Sequence, residues 1–192
     1  MSDSDQRASD AEMTALLGQL ASNTGDDIAA IDRLLIRYDG DARLHFLKGS
    51  VLAGAARPLE AYRSLSKAVE KDPDFAIARF QLGFFELTSG EPNAALHTWQ
   101  RLDALADGHY LRAFVDGLRA LIADRFTECI ALLQAGIAAN QDNGPLNNDM
   151  QLIITTCLET IAADPAVAPA TDDTVSATAM LLGRFGQSGS SN

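Results

Sequence analysis

Three glycines set the frame of this chain. Gly49, Gly83 and Gly117 stand 34 residues apart. A column of small residues, Ala61, Ala95 and Cys129, repeats at the same step, and so does an aromatic column, Phe46, Phe80 and Phe114. A fixed period of this kind marks stacked supersecondary units, none of which can bury its apolar face alone. The chain is therefore expected to be a repeat array rather than a single folded core.

Each unit reads as two helices joined by a short turn. In the first, the spacing predicts a front helix over Ala42 to Ala53 and a back helix over Leu59 to Glu70, with Pro58 suited to its start. The second has Ala76 to Leu87, a Ser89-Gly90-Glu91-Pro92 turn, and a returning helix from Asn93 to Leu105. The third has Tyr110 to Ile122 and Thr127 to Ala138. Glycine inside a helix costs roughly 0.5–1 kcal/mol against alanine, so a glycine column needs a packing reason. Close approach of antiparallel helices supplies one, with Gly49 facing Ala61, Gly83 facing Ala95 and Gly117 facing Cys129. Leu65, Trp99 and Leu133 are then expected to fill the wider space between the helices.

These residues resemble the tetratricopeptide repeat (TPR), whose pattern is W-x₂-L-G-x₂-Y, then A-x₃-F, then P, over 34 residues. Leu82-Gly83 matches the L-G pair, Ala61-x₃-Leu65 and Ala95-x₃-Trp99 match A-x₃-F, and Pro73 matches the closing proline. His45, Arg79 and Ala113 stand where the family has Trp, Lys48 and Asp116 replace the Leu before glycine, Leu52, Glu86 and Ala120 replace Tyr, and Asp107 and Gln141 replace the later prolines. The resemblance covers about half of the chain. It implies an all-α helical-hairpin solenoid of three units at 42–75, 76–109 and 110–143.

In that family the front helices line a concave groove. The corresponding face here carries Phe46 and Ser50, then Ile77, Phe80, Phe84 and Leu87, then Leu111, Phe114, Leu118 and Leu121. Members that clamp a peptide's terminal carboxylate use Lys, Asn and Arg on this face, and those residues are missing. An apolar groove suits a hydrophobic strand or an amphipathic helix of a partner protein. The same side chains also suit a core covered by terminal helices or by a second copy of the chain, since large open apolar patches are unusual on monomers. The resemblance implies a protein-binding adaptor or scaffold. A secretion-type chaperone that shields a hydrophobic client segment, and a structural subunit of a stable complex, are the alternatives.

The flanks complete the organisation. Residues 1–9 are polar and acidic and are expected to be disordered. They carry no basic start followed by an apolar run, so no secretory signal is read there. Ser9-Asp10-Ala11-Glu12 has capping-box spacing and opens a helical hairpin over residues 10–40, with Met13, Leu16, Leu17 and Leu20 on one stripe and Ile28, Ile31, Leu34, Leu35 and Tyr38 on the next. Asn23-Thr24-Gly25 separates the two helices. The hairpin is expected to cover the array's first edge and is a candidate degenerate repeat, because Asp39 lies 34 residues before Pro73. After Asp142-Asn143-Gly144-Pro145, one capping helix is expected within 144–163. Residues 164–192 read as a proline-containing linker and tail. Its apolar island, 174–185, holds Val175, Met180, Leu181, Leu182 and Phe185 and is a candidate releasable occupant of the groove.

Composition narrows the chemistry. At 192 residues one domain is the default, and 47% hydrophobic content allows a core. The net charge of −11 opposes nucleic-acid binding, which depends on clustered Lys and Arg. No run of apolar residues is long enough to span a bilayer, and a cytoplasmic location is expected. His45, His97 and His109 have no ligand spacing with each other or with Cys129 and Cys157, so no metal is expected. The cysteines read as small buried residues. No catalytic signature or phosphate loop occurs, so the chain is expected to be non-enzymatic and to need no cofactor.

Overall fold

A computed structural model describes residues 7–22, 25–141 and 143–163. They form nine α-helices and no strand. The helices are α1 (Asp10–Ala21), α2 (Asp27–Leu35), α3 (Ala42–Gly54), α4 (Pro58–Lys71), α5 (Ala76–Thr88), α6 (Pro92–Trp99), α7 (Tyr110–Ile122), α8 (Phe126–Ala139) and α9 (Gly144–Ala163). The starts of α3, α5 and α7 are 34 residues apart, and so are those of α4, α6 and α8. The expected tail, residues 164–192 with its apolar island, lies outside the described residues, as do residues 1–6, Asn23, Thr24 and Asp142.

The turn that ends each front helix repeats in atomic detail. Ala56, Gly90 and Asp124, again 34 apart, all have positive φ, at 54°, 85° and 54°. The following residue reaches back across the turn. The N–H groups of Arg57, Glu91 and Arg125 donate to the carbonyls of Leu52, Glu86 and Ala120 at 3.0, 2.9 and 2.9 Å. Those of Ala56, Gly90 and Asp124 donate to Ala53, Leu87 and Leu121 at 3.1, 3.0 and 2.9 Å. This is the Schellman arrangement, which satisfies carbonyls that a helix end otherwise leaves without partners. The back helix starts directly behind it, with Pro58 and Pro92 in positions whose N–H has no helical acceptor.

The glycine column works differently from the expected pairing of small residues. A Cβ on Gly49 would stand 2.7 Å from Leu65 Cγ, and one on Gly117 2.7 Å from Leu133 Cδ2. A Cβ on Gly83 would enter the Trp99 indole, 2.6 Å from Cε2. The large residue of the back helix therefore lies on the glycine itself. Without a Cβ, the front helix presents bare backbone as a floor on which Leu65, Trp99 and Leu133 rest, all essentially inaccessible to solvent. Ala61, Ala95 and Cys129 are buried too, but are not the nearest contacts at these glycines.

The returning helix of the second hairpin also departs from expectation. It is α-helical only to Trp99 and continues as a 3₁₀ helix over Gln100–Ala104. Residues three apart eclipse in a 3₁₀ helix. The 3₁₀ winding brings Leu102 into line with Trp99, and both are buried, whereas an α-helical continuation would leave it about 60° short of a full turn.

The described chain divides into two compact units rather than one, with the boundary between Leu82 and Gly83 inside α5. In the first unit, Ala8, Met13, Leu16, Ala30, Ile31 and Leu44 form a buried cluster, flanked by Leu20, Leu34, Tyr38 and Leu47. The hairpin α1–α2 thus covers α3. The capping box is present: Ser9 N–H donates to Glu12 Oε2 (2.9 Å) and Glu12 N–H to Ser9 Oγ (3.3 Å). The Ser9 N–H, and after it the Ser9 hydroxyl donating to the same Oε2 (2.8 Å), hold the Glu12 carboxyl down at about 2.

Residues 7–9, expected to belong to a disordered end, are fixed in place. Ala8 N–H donates to Asp41 Oδ2 (3.0 Å), and Arg43 Nη2 donates to the Ala8 carbonyl (2.6 Å). Asp41 caps α3 by accepting from Arg43 N–H (3.0 Å) and grips the Arg43 guanidinium through both oxygens (2.8 and 3.0 Å). Burial pushes the Asp41 carboxyl up, but the bonds from Arg43 and Ala8 outweigh it and hold the group below the usual carboxylate range.

In the second unit α7 packs on α8 and α8 on α9. The inner stripe of α9, Leu146, Met150, Ile153, Ile154 and Cys157, is buried, and Gln151, Thr155 and Glu159 face outward. Asn140 and Asn147 lock the turn between α8 and α9. Asn140 Nδ2 donates to Asn147 Oδ1 (2.8 Å) and to the Asn143 carbonyl (3.0 Å), and Asn147 Nδ2 returns a bond to the Asn140 carbonyl (3.0 Å).

Candidate functional site

The ten front-helix positions divide by burial. Phe80, Leu87, Leu111, Phe114, Leu118 and Leu121 are interior, at 0–2% exposure, and offer no surface. Phe114 shows why. Its ring lies over Gly136 of α8, where a Cβ would stand 2.5 Å from Cε1, and Tyr110 meets it edge-on at 5.8 Å. The side chain fills the interior of its own hairpin, through a contact that the 34-residue columns did not include. Phe46, Ser50, Ile77 and Phe84 are half-buried. Phe46 meets Phe75 edge-on at 5.5 Å, and Ser50 Oγ donates to the Phe46 carbonyl one turn back (3.1 Å). In the first unit the half-buried positions are therefore Phe46, Ser50 and Ile77; in the second, Phe84.

The most exposed large apolar side chains lie elsewhere. Ile36, just past α2, is 85% exposed, and Leu59 on α4 is 74% exposed. Leu17, Tyr62, Leu152 and Leu158 follow at about half exposure, so Leu17 is not on the buried stripe of α1 where the sequence placed it. Ile36 and Leu59 fall outside the apolar stripes of their helices, which is the sequence signal that could have marked them.

An open cleft of about 370 Å³ lies in the first unit among α2, α3 and α4, with Ile36 on its rim. Its walls are charged. Lys48 Nζ donates to Asp32 Oδ1 (2.7 Å) and Lys67 Nζ to Asp39 Oδ1 (3.1 Å), with Lys71 3.8 Å from Asp39 Oδ2. The Lys67 bond holds the Asp39 carboxyl below its ordinary value. His45 is buried, with Nε2 bonded to the Asp39 carbonyl at 2.8 Å. Burial lowers its pKa below the ordinary histidine value; Lys67 works in the same direction and Asp39 against. The bond to the Asp39 carbonyl ties α3 to the preceding turn. Arg63 also lines the cleft, so its cations outnumber the carboxylates of Asp32 and Asp39, and the surface is of mixed sign with a basic excess.

No protein-family model and no curated protein matches this chain.

Among the described residues no helix is long and apolar enough to cross a membrane, and no three His, Cys, Asp or Glu groups stand where they could hold a metal ion. One buried acid was missed by the sequence reading. Glu86 is interior, its Oε2 lacks a hydrogen-bond partner, and burial pushes its carboxyl up against the opposing effects of Thr98 and His97. No periodic column marks it, because the equivalent positions are Leu52 and Ala120.

Proposed function

We propose that this chain is a non-enzymatic, TPR-like protein-binding adaptor that works in the cytoplasm and holds a hydrophobic or amphipathic segment of a partner. The observation that carries this reading is the recurrence of whole hairpins at a 34-residue step, in helix starts, in the left-handed turn residue and in the glycine floor. Arrays of such hairpins present extended surfaces suited to binding another chain. The interior phenylalanines and leucines hold the front helices rigid, and the half-buried residues of the front helices make the contacts. In the first unit these are Phe46 and Ile77.

The experiment is affinity capture with full-length protein, with Phe46→Glu and Ile77→Glu run in parallel and circular dichroism recorded on each. The expected result is a partner retained by wild type and lost from both variants at unchanged helical signal. A partner held equally by both well-folded variants would move the site away from the front helices. Failure of wild type to retain any protein above a matched control would overturn the adaptor reading itself.

A further inference from the structure

The chain has two cysteines, 28 positions apart, and the fold brings them together. Cys129 sits on α8 and Cys157 on the buried stripe of α9, with their Sγ atoms 4.0 Å apart. Both are free thiols and both are buried. A disulfide needs the sulfurs at about 2.05 Å, so the pair must close by roughly 2 Å. Rotation about the two Cα–Cβ bonds moves each sulfur toward or away from the other without displacing either helix axis.

We propose that Cys129 and Cys157 form a redox-active dithiol, which a small disulfide such as oxidised glutathione converts into an intrachain bond fastening α9 to α8. The hydrogen bond runs from the Cys157 S–H to Cys129 Sγ. Cys157 lies on α9, the helix that lifts to admit the oxidant, and is assigned as the attacking sulfur. Its thiolate attacks one sulfur of oxidised glutathione, breaking that disulfide, and one glutathione leaves as thiolate and takes up a proton. Cys129 then loses its proton to solvent and attacks Cys157 Sγ in the mixed disulfide, releasing the second glutathione. Two cysteine thiols are oxidised by two electrons and one glutathione disulfide is reduced to two thiols. Because both sulfurs are buried, the first attack takes place while α9, the last described helix, is transiently lifted from α8. The rate of closure therefore reports that opening.

The test uses the full-length wild-type chain, fully reduced, then incubated with excess oxidised glutathione and read by intact mass under denaturing acid conditions. The expected product is a monomer lighter by two hydrogens and carrying no glutathione, with an unfolding midpoint several degrees above the reduced protein, because the bond closes a loop in the unfolded chain. Cys157→Ser treated in the same way should show no loss of two hydrogens and no rise in midpoint. Three results would overturn the proposal: an unchanged mass after prolonged oxidation, a chain that stops at a stable glutathione adduct, or a disulfide-linked dimer on a non-reducing gel. All three are read on wild type, so they stand even if the serine variant fails to fold.

Discussion

The left-handed residue between the front and back helices is occupied in three ways. Gly90 adopts positive φ without steric cost, whereas Ala56 and Asp124 hold the same conformation with a Cβ. Ala56→Gly should stabilise the fold by about 0.5–1 kcal/mol, and Gly90→Ala should destabilise it by about 1 kcal/mol. Urea titrations of the two variants check this, and a shared sign would contradict the turn geometry. The glycine floor gives a second contrast. Gly83→Ala should cost about 1–3 kcal/mol, since its Cβ meets a rigid, fully buried indole. Gly18→Ala, with nothing within 4 Å on the exposed face of α1, should gain about 0.5–1 kcal/mol from helix propensity. Equal unfolding midpoints for these two variants would remove the floor argument. The period located Gly83 from the sequence, but its contact was legible only as small against small. Which side chain covers a glycine depends on the rotation of the two helices about their axes, and periodicity alone does not carry that angle. The burial of Glu86 was not legible for a related reason: the sequence shows it only as a departure in the Tyr column, and a lone acid there does not tell what surrounds it.

At the scale of the element, helix positions were read within about two residues, an ordinary margin for helix ends. The exception is α6. It stops at Trp99 and continues as a 3₁₀ turn in which Leu102 is buried, a change of winding that no residue of the local sequence marks. The N-terminal segment was misread because nothing local in residues 7–9 points to Asp41, which accepts from Ala8 N–H across 33 positions. Asp41→Asn should cost about 1–3 kcal/mol, by weakening the Arg43 pair and the hold on Ala8. The sign with pH follows from the lowered carboxyl. The folded pKa lies below the ordinary 3.8, so the contribution is complete above that value and disappears as pH falls through the folded pKa. The stability gap between wild type and Asp41→Asn, measured in urea at a series of pH values, should therefore be full near neutrality and shrink in acid. A gap that stayed constant into strong acid would show that the carboxylate's charge is not what holds the segment.

For the molecule as a whole, the all-helical architecture and the hairpin step were legible because they are written redundantly, in several columns at once. The binding face was not. Front-helix side chains are divided between interior and surface by a fraction of a turn, and Phe114 lies inside because Gly136 leaves room for its ring. The most exposed apolar residues, Ile36 and Leu59, lie off the apolar stripes, a signal that the 34-residue columns do not carry. Net charge is a property of the complete chain and was readable directly. At −11 it favours basic partners over acidic ones, an effect that salt screens within about 10 Å.

The recurring turn also bears on how such a chain can change length. Ala56, Gly90 and Asp124 are interchangeable splice points, because the backbone enters and leaves each of them in the same way. A duplication or excision of one full period joins a front-helix end to the start of a back helix it is already shaped to meet, and the glycine still falls beneath a large residue. An insertion of any other length inside a hairpin shifts the phase, bringing a side chain to the floor and a Cβ-bearing residue of the wrong kind to the reversed turn. Length variation in this lineage is therefore expected to be quantised, with whole hairpins as its unit of exchange and the loops between hairpins as the places where smaller changes collect.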